Sequence, residues 1–466
     1  MTTPDTPIRI AVVGHTNAGK TSLLRTLTRR VNFGEVSQRP GTTRHVESVD
    51  LEVGGRAAVR FLDTPGLEDA VALREHLEGF DRSLTPPERI RRFLQGPEAH
   101  GVFEQEAKVL RALLDVDAAF LVIDAREPQL PKFRAEIELL NACARPVLPV
   151  LNFLHHAAQR ETGWKELLSA YGLHVVVRFD AAAPFVGAER ELYRDLATLL
   201  RDRREELDRI AASLDAEAAQ RREAACRRIA ELLVDAAAMR RTATAAEFAN
   251  EQERHRRVAE LRQSLFDKAQ RCAEDLLALH GFREGDADEA PLPMVEGRWS
   301  MDFFHPEALK DAGILLGKGV AVGAAVGVVA DLALAGLSLG TGAALGGAIG
   351  GAMSQGLGPL GRKLANKLRD VHELTVEDRV LFVLLGWQLR LLRALEHRGH
   401  AALERIGADG LGAGDPQALA DCVRSAQPAR SHPDWESGTR LRWREAPQRQ
   451  ALVSQVARRL GEAIPA

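Results

Sequence analysis

Cysteine is scarce and unpatterned in this chain. The four residues, Cys143, Cys226, Cys272 and Cys422, stand far apart, with no CxxC and no cysteine–histidine ligand spacing. That excludes a zinc site and a disulfide framework, and it fits a reducing compartment. No charge of one sign dominates either. A net charge of -3 and a pI near 6.6 supply no global field to draw nucleic acid, which is therefore not expected as a partner. The opening MTTPDTPIRIAVVG has no basic stretch followed by an apolar one, so no secretory signal is expected and the chain reads as cytoplasmic. A convincing internal repeat is lacking, as is a KH-like GXXG module. His155 and His156 lack a metal-ligand pattern and read as loop or packing residues.

What is present is ample core material, with 45% hydrophobic residues in 466, enough for two or three domains. From residue 8 to about 182, apolar runs alternate with helix-like segments: IRIAVVG, AAVRFLD, AAFLVID, RPVLPVLN and LHVVVRFD. Continuous runs of this kind suit strands buried on both faces of a mostly parallel sheet. Residues 1–184 are thus expected to form an α/β domain flanked by helices. From 185 to 284 the composition shifts to Ala, Leu, Arg and Glu with apolar spacings of three and four, which predicts long helices. GDADEAPLP opens a linker over 285–311. A glycine-rich stretch follows at 312–358. The remainder, 359–466, is predominantly helical, with Thr375 as the expected cap of a helix through VLFVLLGWQLRLLRALEHR and Trp387 in a core.

The chemistry is concentrated in Gly14-His15-Thr16-Asn17-Ala18-Gly19-Lys20-Thr21. The pattern GxxxxGK[ST] is complete, follows a strand and opens a helix, which is the context that makes it a P-loop. Main-chain amides of such a loop converge on phosphate oxygens at a helix N-terminus. The phosphate-binding set is Gly14, Asn17, Ala18, Gly19, Lys20, Thr21 and Ser22. Lys20 is expected to reach the β- and γ-phosphates and Thr21 to bind Mg²⁺. Further on, Asp63-Thr64-Pro65-Gly66 ends another strand. There Asp63 can hold Mg²⁺ through water, and the Gly66 amide can meet the γ-phosphate, so that the segment after it senses hydrolysis.

With both motifs placed, residues 8–182 resemble the translation-associated bacterial GTPases similar to Era and TrmE. Arg39-Pro40-Gly41-Thr42-Thr43-Arg44 is similar to their first switch, and the resemblance implies that Thr43, with Thr42 as the alternative, carries a Mg²⁺-sensing catalytic hydroxyl. DAAFLVIDAREP at 117–128 also belongs to the resemblance. Asn17 matches the asparagine that helps place K⁺ in this family. Leu67 stands where Ras-like GTPases carry their water-orienting Gln. The resemblance therefore implies slow turnover with Lys20, Thr43 and Gly66 as catalytic groups, stimulated by K⁺ or by self-association into a homodimer through this domain.

The chain departs from the family after RPVLPV, where Asn-Lys-x-Asp is expected and Asn152-Phe153-Leu154-His155 stands. Losing the charge-assisted pair of bonds to the base costs about 2–4 kcal/mol of guanine preference, so GTP over ATP is open. Asp180, in VRFDA, lies where the family places its base loop. It is either a substitute contact to the base, beside Asn152, or an ordinary strand-end turn residue. Between Gly66 and Asp117 a helical insert, RSLTPPERIRRFLQ, is expected as a relay to a protein effector or as a lid.

Residues 312–358 hold fourteen glycines, many four apart. Each costs about 0.5–1 kcal/mol relative to Ala inside a helix. Spacing of four allows close helix packing, as in membranes. The runs 312–330 and 332–353 are 19 and 22 residues long, and Arg362, Lys363, Lys367 and Arg369 follow. This predicts a glycine-zipper hairpin meeting the inner face of the cytoplasmic membrane, peripherally or integrally; a soluble glycine-interlocked hairpin is the alternative. RRIAELL and RHRRVAELRQ interleave acids with bases, as a solvated face does.

The whole chain resembles bacterial proteins that join an Era-like GTPase to a C-terminal domain of uncharacterised function. The expected function is a GTP/GDP-binding, hydrolysis-driven switch coupled to a membrane-associating helical domain. The alternatives are a soluble GTPase of ribosome assembly or tRNA modification, and a structural nucleotide binder with little hydrolysis.

Overall fold

A computed structural model describes residues 6–29, 46–154, 158–181, 184, 187–281, 294–295, 298–299, 337–339, 371–396, 415–436 and 446–464. The first switch with Thr42 and Thr43, the pair His155–His156, most of the linker and nearly all of the glycine-rich stretch lie outside the described residues. Two compact units part at Ala219/Gln220.

The first unit is built on a six-stranded sheet. Its strands are Ile8–Val13 (β1), Glu47–Val53 (β2), Arg56–Asp63 (β3), Ala118–Asp124 (β4), Val147–Asn152 (β5) and Val177–Arg178 (β6), in the order β2-β3-β1-β4-β5-β6. All neighbours are parallel except the β2–β3 hairpin at one edge. The apolar runs of β1, β4 and β5 are buried because helices cover both faces, whereas β2 alternates with charged residues and is half exposed.

Side chains of β1 sort by parity onto the two faces. Ile8, Ile10 and Val12 pack with Leu23, Leu24 and Leu27 of helix Lys20–Thr28 (α1) and Leu192 and Leu196 of helix Ala188–Leu199 (α7). Ala11 and Val13 face the other layer. That layer contains Ala70–Glu78 (α2), Pro86–Leu94 (α3), Glu104–Leu114 (α4), Pro131–Ala142 (α5) and Ala158–Ala170 (α6). The expected insert, RSLTPPERIRRFLQ, forms α3. Register places Asp63 beside Val12 and Asn152 beside Asp124, so the ends of β1, β3, β4 and β5 share one rim of the sheet.

The long helix Arg204–Ala238 (α8) begins in the first unit and ends in the second. The second unit then adds strand Arg240–Thr244 (β7), helices Ala245–Ala249 (α9) and Glu251–Leu279 (α10), the short pair Met294–Val295 (β8) and Arg298–Trp299 (β9), and strands Leu337–Leu339 (β10) and Val371–Val376 (β11). Helices Asp378–Glu396 (α11), Pro416–Ala426 (α12) and Pro447–Ala463 (α13) complete it. Helix α11 is buried on nearly every side, Trp387 included, as a central helix must be. The unit is largely helical, and no helix among the described residues is long and apolar enough to cross a membrane.

Three expectations from the sequence are corrected by the fold. Thr375 is no helix cap: it pairs with Arg240 in the antiparallel β10-β11-β7 sheet, and the helix starts at Asp378. The helical span 185–284 is interrupted by β7. Within the glycine-rich stretch, Leu337–Leu339 are extended and pair with β11, which a continuous helix over 332–353 does not permit.

Candidate functional site

The loop between β1 and α1 takes its shape from three left-handed residues, Gly14 (φ 141°), Asn17 (φ 65°) and Gly19 (φ 90°). A Cβ on Gly14 would lie 2.3 Å from the Val122 carbonyl oxygen, so only glycine lets the loop leave the sheet against β4. Helix α1 has no side-chain cap and no acidic residue in its first turn, which leaves its N-terminal amides and partial positive charge for an anion. Ala18 is buried, Asn17 is exposed, and Thr21 and Ser22 are half-buried.

Lys20 is buried, and its Nζ donates to the carbonyls of Gly14 and His15, each at 3.0 Å. Burial pushes its pKa down, opposed by the charges of Asp63 and Glu136. Thr21 Oγ1 donates to Asp63 Oδ2 at 2.6 Å. Asp63 is 1% exposed, and its other oxygen, Oδ1, is buried without a hydrogen-bond partner. Burial raises the Asp63 pKa, while the Thr21 hydroxyl and the Lys20 charge lower it. An orphaned carboxylate oxygen beside a hydroxyl is the donor set that a hard divalent cation takes. The residues thus fit Mg²⁺, with Thr21 and Asp63 on one side of the loop.

Asn152 ties the end of β5 to the β1–α1 loop and to Ala181. Its Nδ2 donates to the Ala18 carbonyl at 3.0 Å, and its Oδ1 accepts from Phe153 N at 3.0 Å and Ala181 N at 2.9 Å. Asp180 is buried next to that contact. Phe153 adopts φ 59°, and its ring carries the Arg126 guanidinium 4.1 Å from its centroid. Arg126 is forked by Asp124 at 2.9 and 2.8 Å. An aromatic–cation stack therefore occupies the position where the resembled family has its lysine.

The structure brings together Gly14, Asn17, Ala18, Gly19, Lys20, Thr21, Ser22, Asp63, Gly66, Asn152 and Asp180 on one rim; Thr43 lies outside the described residues. The motifs give no sign of His15, Glu106, Glu136 or Arg126. Two of these had a signal elsewhere: Glu106 and Glu136 sit on the apolar stripes of their helices, in step with Phe103 and Leu110 and with Phe133 and Leu140, and a glutamate there must be buried with partners.

Comparison with known proteins matches this architecture. Residues 9–153 match the family model described as 50S ribosome-binding GTPase, and residues 165–458 match the model described as Domain of unknown function (DUF3482). GTPase Der of Xanthomonas oryzae pv. oryzae is 33% identical over 171 residues, 35% of this chain and 36% of that protein. The probable GTP-binding protein EngB of Neisseria meningitidis serogroup B is 32% identical over 149 residues, 31% of this chain and 56% of that protein. This chain thus spans between about a third and just over half of those relatives' lengths. A solved structure of Aquifex aeolicus Era bound to GDP.AlF4- aligns at 22% identity over 37% of this chain and 50% of that one, with a TM-score of 0.28, too low to bear on the assignment. The DUF3482 model matches the larger part of the chain, so the chain belongs to the DUF3482 family, and its front third carries a P-loop GTPase domain matched by the other model.

Proposed function

We propose that the first unit is a guanine-nucleotide switch that hydrolyses GTP slowly. The observation that carries this is the Thr21–Asp63 contact with a buried, orphaned Asp63 oxygen, placed beside a buried lysine and an uncapped helix N-terminus. Thr21 and Asp63 would hold Mg²⁺, which supplies charge neutralisation to the phosphates. Lys20 gives up its two carbonyl contacts to bind phosphate oxygens, and the Gly66 amide orients the terminal phosphate. Asn17 is the candidate K⁺ ligand and Thr43 the candidate sensor of the first switch, both from the family resemblance. Asp180 is proposed to accept from the base in place of the missing family aspartate, close to the Asn152 staple.

Nucleotide titration of the purified chain tests this. Tight Mg²⁺-dependent GTP binding is expected, lost at least 100-fold in Lys20→Ala, with faster turnover in K⁺ than in Na⁺. Asp180→Ala is expected to narrow the preference for GTP over ATP about tenfold, one charge-assisted bond's worth. Unchanged triphosphate affinity in Lys20→Ala sinks the switch reading; equal affinities for GTP and ATP in both chains sink the role of Asp180.

For the second unit, the sequence supports coupling to a membrane through 312–358, and flotation with vesicles checks it. The family description of residues 9–153 favours a second reading, in which the partner is the large ribosomal subunit. Nucleotide-dependent co-sedimentation with isolated 50S particles distinguishes the two.

A further inference from the structure

The segment that follows Asp63 is held along four consecutive residues, Gly66–Asp69, by Thr16 and His15 of the phosphate loop and by Glu106 of α4. A Cβ on Gly66 would lie 2.4 Å from Thr16 Oγ1 and 2.8 Å from Thr16 N, so Gly66 is pressed against the phosphate loop. The Leu67 side chain is fully buried in the core, and its carbonyl lies 3.1 Å from His15 Nδ1. The same Nδ1 is 2.8 Å from Glu136 Oε1, and His15 Nε2 is 2.9 Å from Lys132 Nζ. An ammonium only donates, so Nε2 accepts and the proton sits on Nδ1, shared between Glu136 and the Leu67 carbonyl. The next two amides, Glu68 N and Asp69 N, donate to Glu106 Oε1 at 3.1 and 2.9 Å. Glu106 comes from α4 and is 3% exposed; Glu136, from α5, is 2% exposed.

These contacts share one consequence. With its side chain in the core, Leu67 cannot reach a water at the phosphate, so any ordering of the reacting end must come through the main chain. His15 fixes that chain at Leu67, and Glu106 fixes it at Glu68 and Asp69. A carboxylate accepting two adjacent amides is a strong, directional clamp in a dry site. We propose that His15 and Glu106 are positioning residues that latch Gly66–Asp69, so that the Gly66 amide stands at a fixed place against the phosphate loop. Helix α4 thereby becomes part of the hydrolytic apparatus through its hold on the main chain after Gly66. This inference rests on the reading of the first unit as a nucleotide hydrolase.

The test pairs turnover with hydrogen exchange. Single-turnover GTP hydrolysis is expected to fall at least tenfold in Glu106→Ala and in His15→Ala, while GTP affinity changes less than threefold. Glu106→Gln keeps an acceptor oxygen and is expected to retain most of the rate. Without nucleotide, exchange at the Glu68 and Asp69 amides is expected to speed up at least tenfold in Glu106→Ala and hardly at all in Glu106→Gln. Unaltered exchange in Glu106→Ala overturns the latch. Faster exchange with undiminished turnover overturns the positioning role and leaves Glu106 as a packing residue. A wild-type chain that binds no nucleotide overturns the hydrolase reading instead, and is told apart because the exchange measurement uses none.

Discussion

At the scale of single residues the nucleotide rim is organised against its own stability. Asp63 carries a raised pKa because it is buried, and Lys20 a lowered one for the same reason. A carboxyl whose folded pKa lies above its unfolded one contributes stability that is complete below the unfolded value and lost as pH rises through the folded value. At neutral pH, then, ionised Asp63 weighs against the nucleotide-free fold. Asp63→Asn is expected to raise the melting temperature of that form at pH 7, and the gain should shrink as pH is lowered toward the carboxylate range. The same variant should lose the ligand's contribution, about 2.7 kcal/mol at a hundredfold excess over Kd. Thermal melts at pH 4 to 8, with and without Mg²⁺ and GTP, check both signs. An Asp63→Asn chain that melts lower than wild type at pH 7 without nucleotide refutes the account. Much at this scale is legible in the sequence, because a phosphate loop needs fixed residue types at fixed spacing: Gly14, Gly19, Lys20, Thr21 and Asp63 follow from geometry alone. The roles of His15 and Glu106 do not, although the apolar stripe of α4 marks Glu106 for burial, since their work is to touch main-chain atoms whose position only the fold reveals.

At the scale of elements, strands buried on both faces betray themselves as apolar runs, so β1, β4 and β5 are readable in IRIAVV, AAFLVID and VLPVLN, while β3 shows in AAVRFLD despite an exposed Arg60. Strand β2, ESVDLEV, is not, because an edge strand alternates with charge, and β6 shrinks to two residues of the expected LHVVVRFD. Strands β7 and β11 hide for another reason: RRTAT and VHELTV adjoin helix-forming sequence, and it is pairing within the β10-β11-β7 sheet that makes them strands. Glycine position sharpens the same point. Gly54 (φ 60°) turns the β2–β3 hairpin, and a Cβ added there would meet nothing within 4 Å, whereas one on Gly14 would meet the Val122 carbonyl oxygen at 2.3 Å. Gly54→Ala should cost only the left-handed penalty of about 1 kcal/mol. Gly14→Ala adds a clash with β4 and should cost about 2–4 kcal/mol while disturbing phosphate binding. Urea unfolding of the two variants, with equal losses as the contrary result, decides whether the loop approaches β4 as tightly as that distance requires.

At the scale of the whole molecule, each unit has its own core. In the first, two apolar layers clasp the sheet. In the second, α8, α10, α11, α12 and α13 converge on one cluster, and within it lies a buried charge group. Asp235 Oδ1 accepts from Arg449 at 2.7 Å, Asp235 Oδ2 faces Lys268 at 3.5 Å, and Arg449 also donates to the Trp435 carbonyl at 3.2 Å. All three side chains are under 10% exposed. Removing the carboxylate leaves two cations in a low-dielectric core, so Asp235→Ala should cost about 3–5 kcal/mol, whereas replacing Asp235 and Arg449 together by Leu and Met should recover part of that loss. The proposed Mg²⁺ and GTP site lies in the other unit, at the β1–α1 loop. Calorimetry of the intact chain is therefore expected to show one transition that rises with nucleotide and is indifferent to Asp235, and a second that falls in Asp235→Ala and is indifferent to nucleotide. A single transition moved by both perturbations would mean that the helix running from one unit into the other transmits stability between them, and the two cores would then have to be treated as one cooperative body.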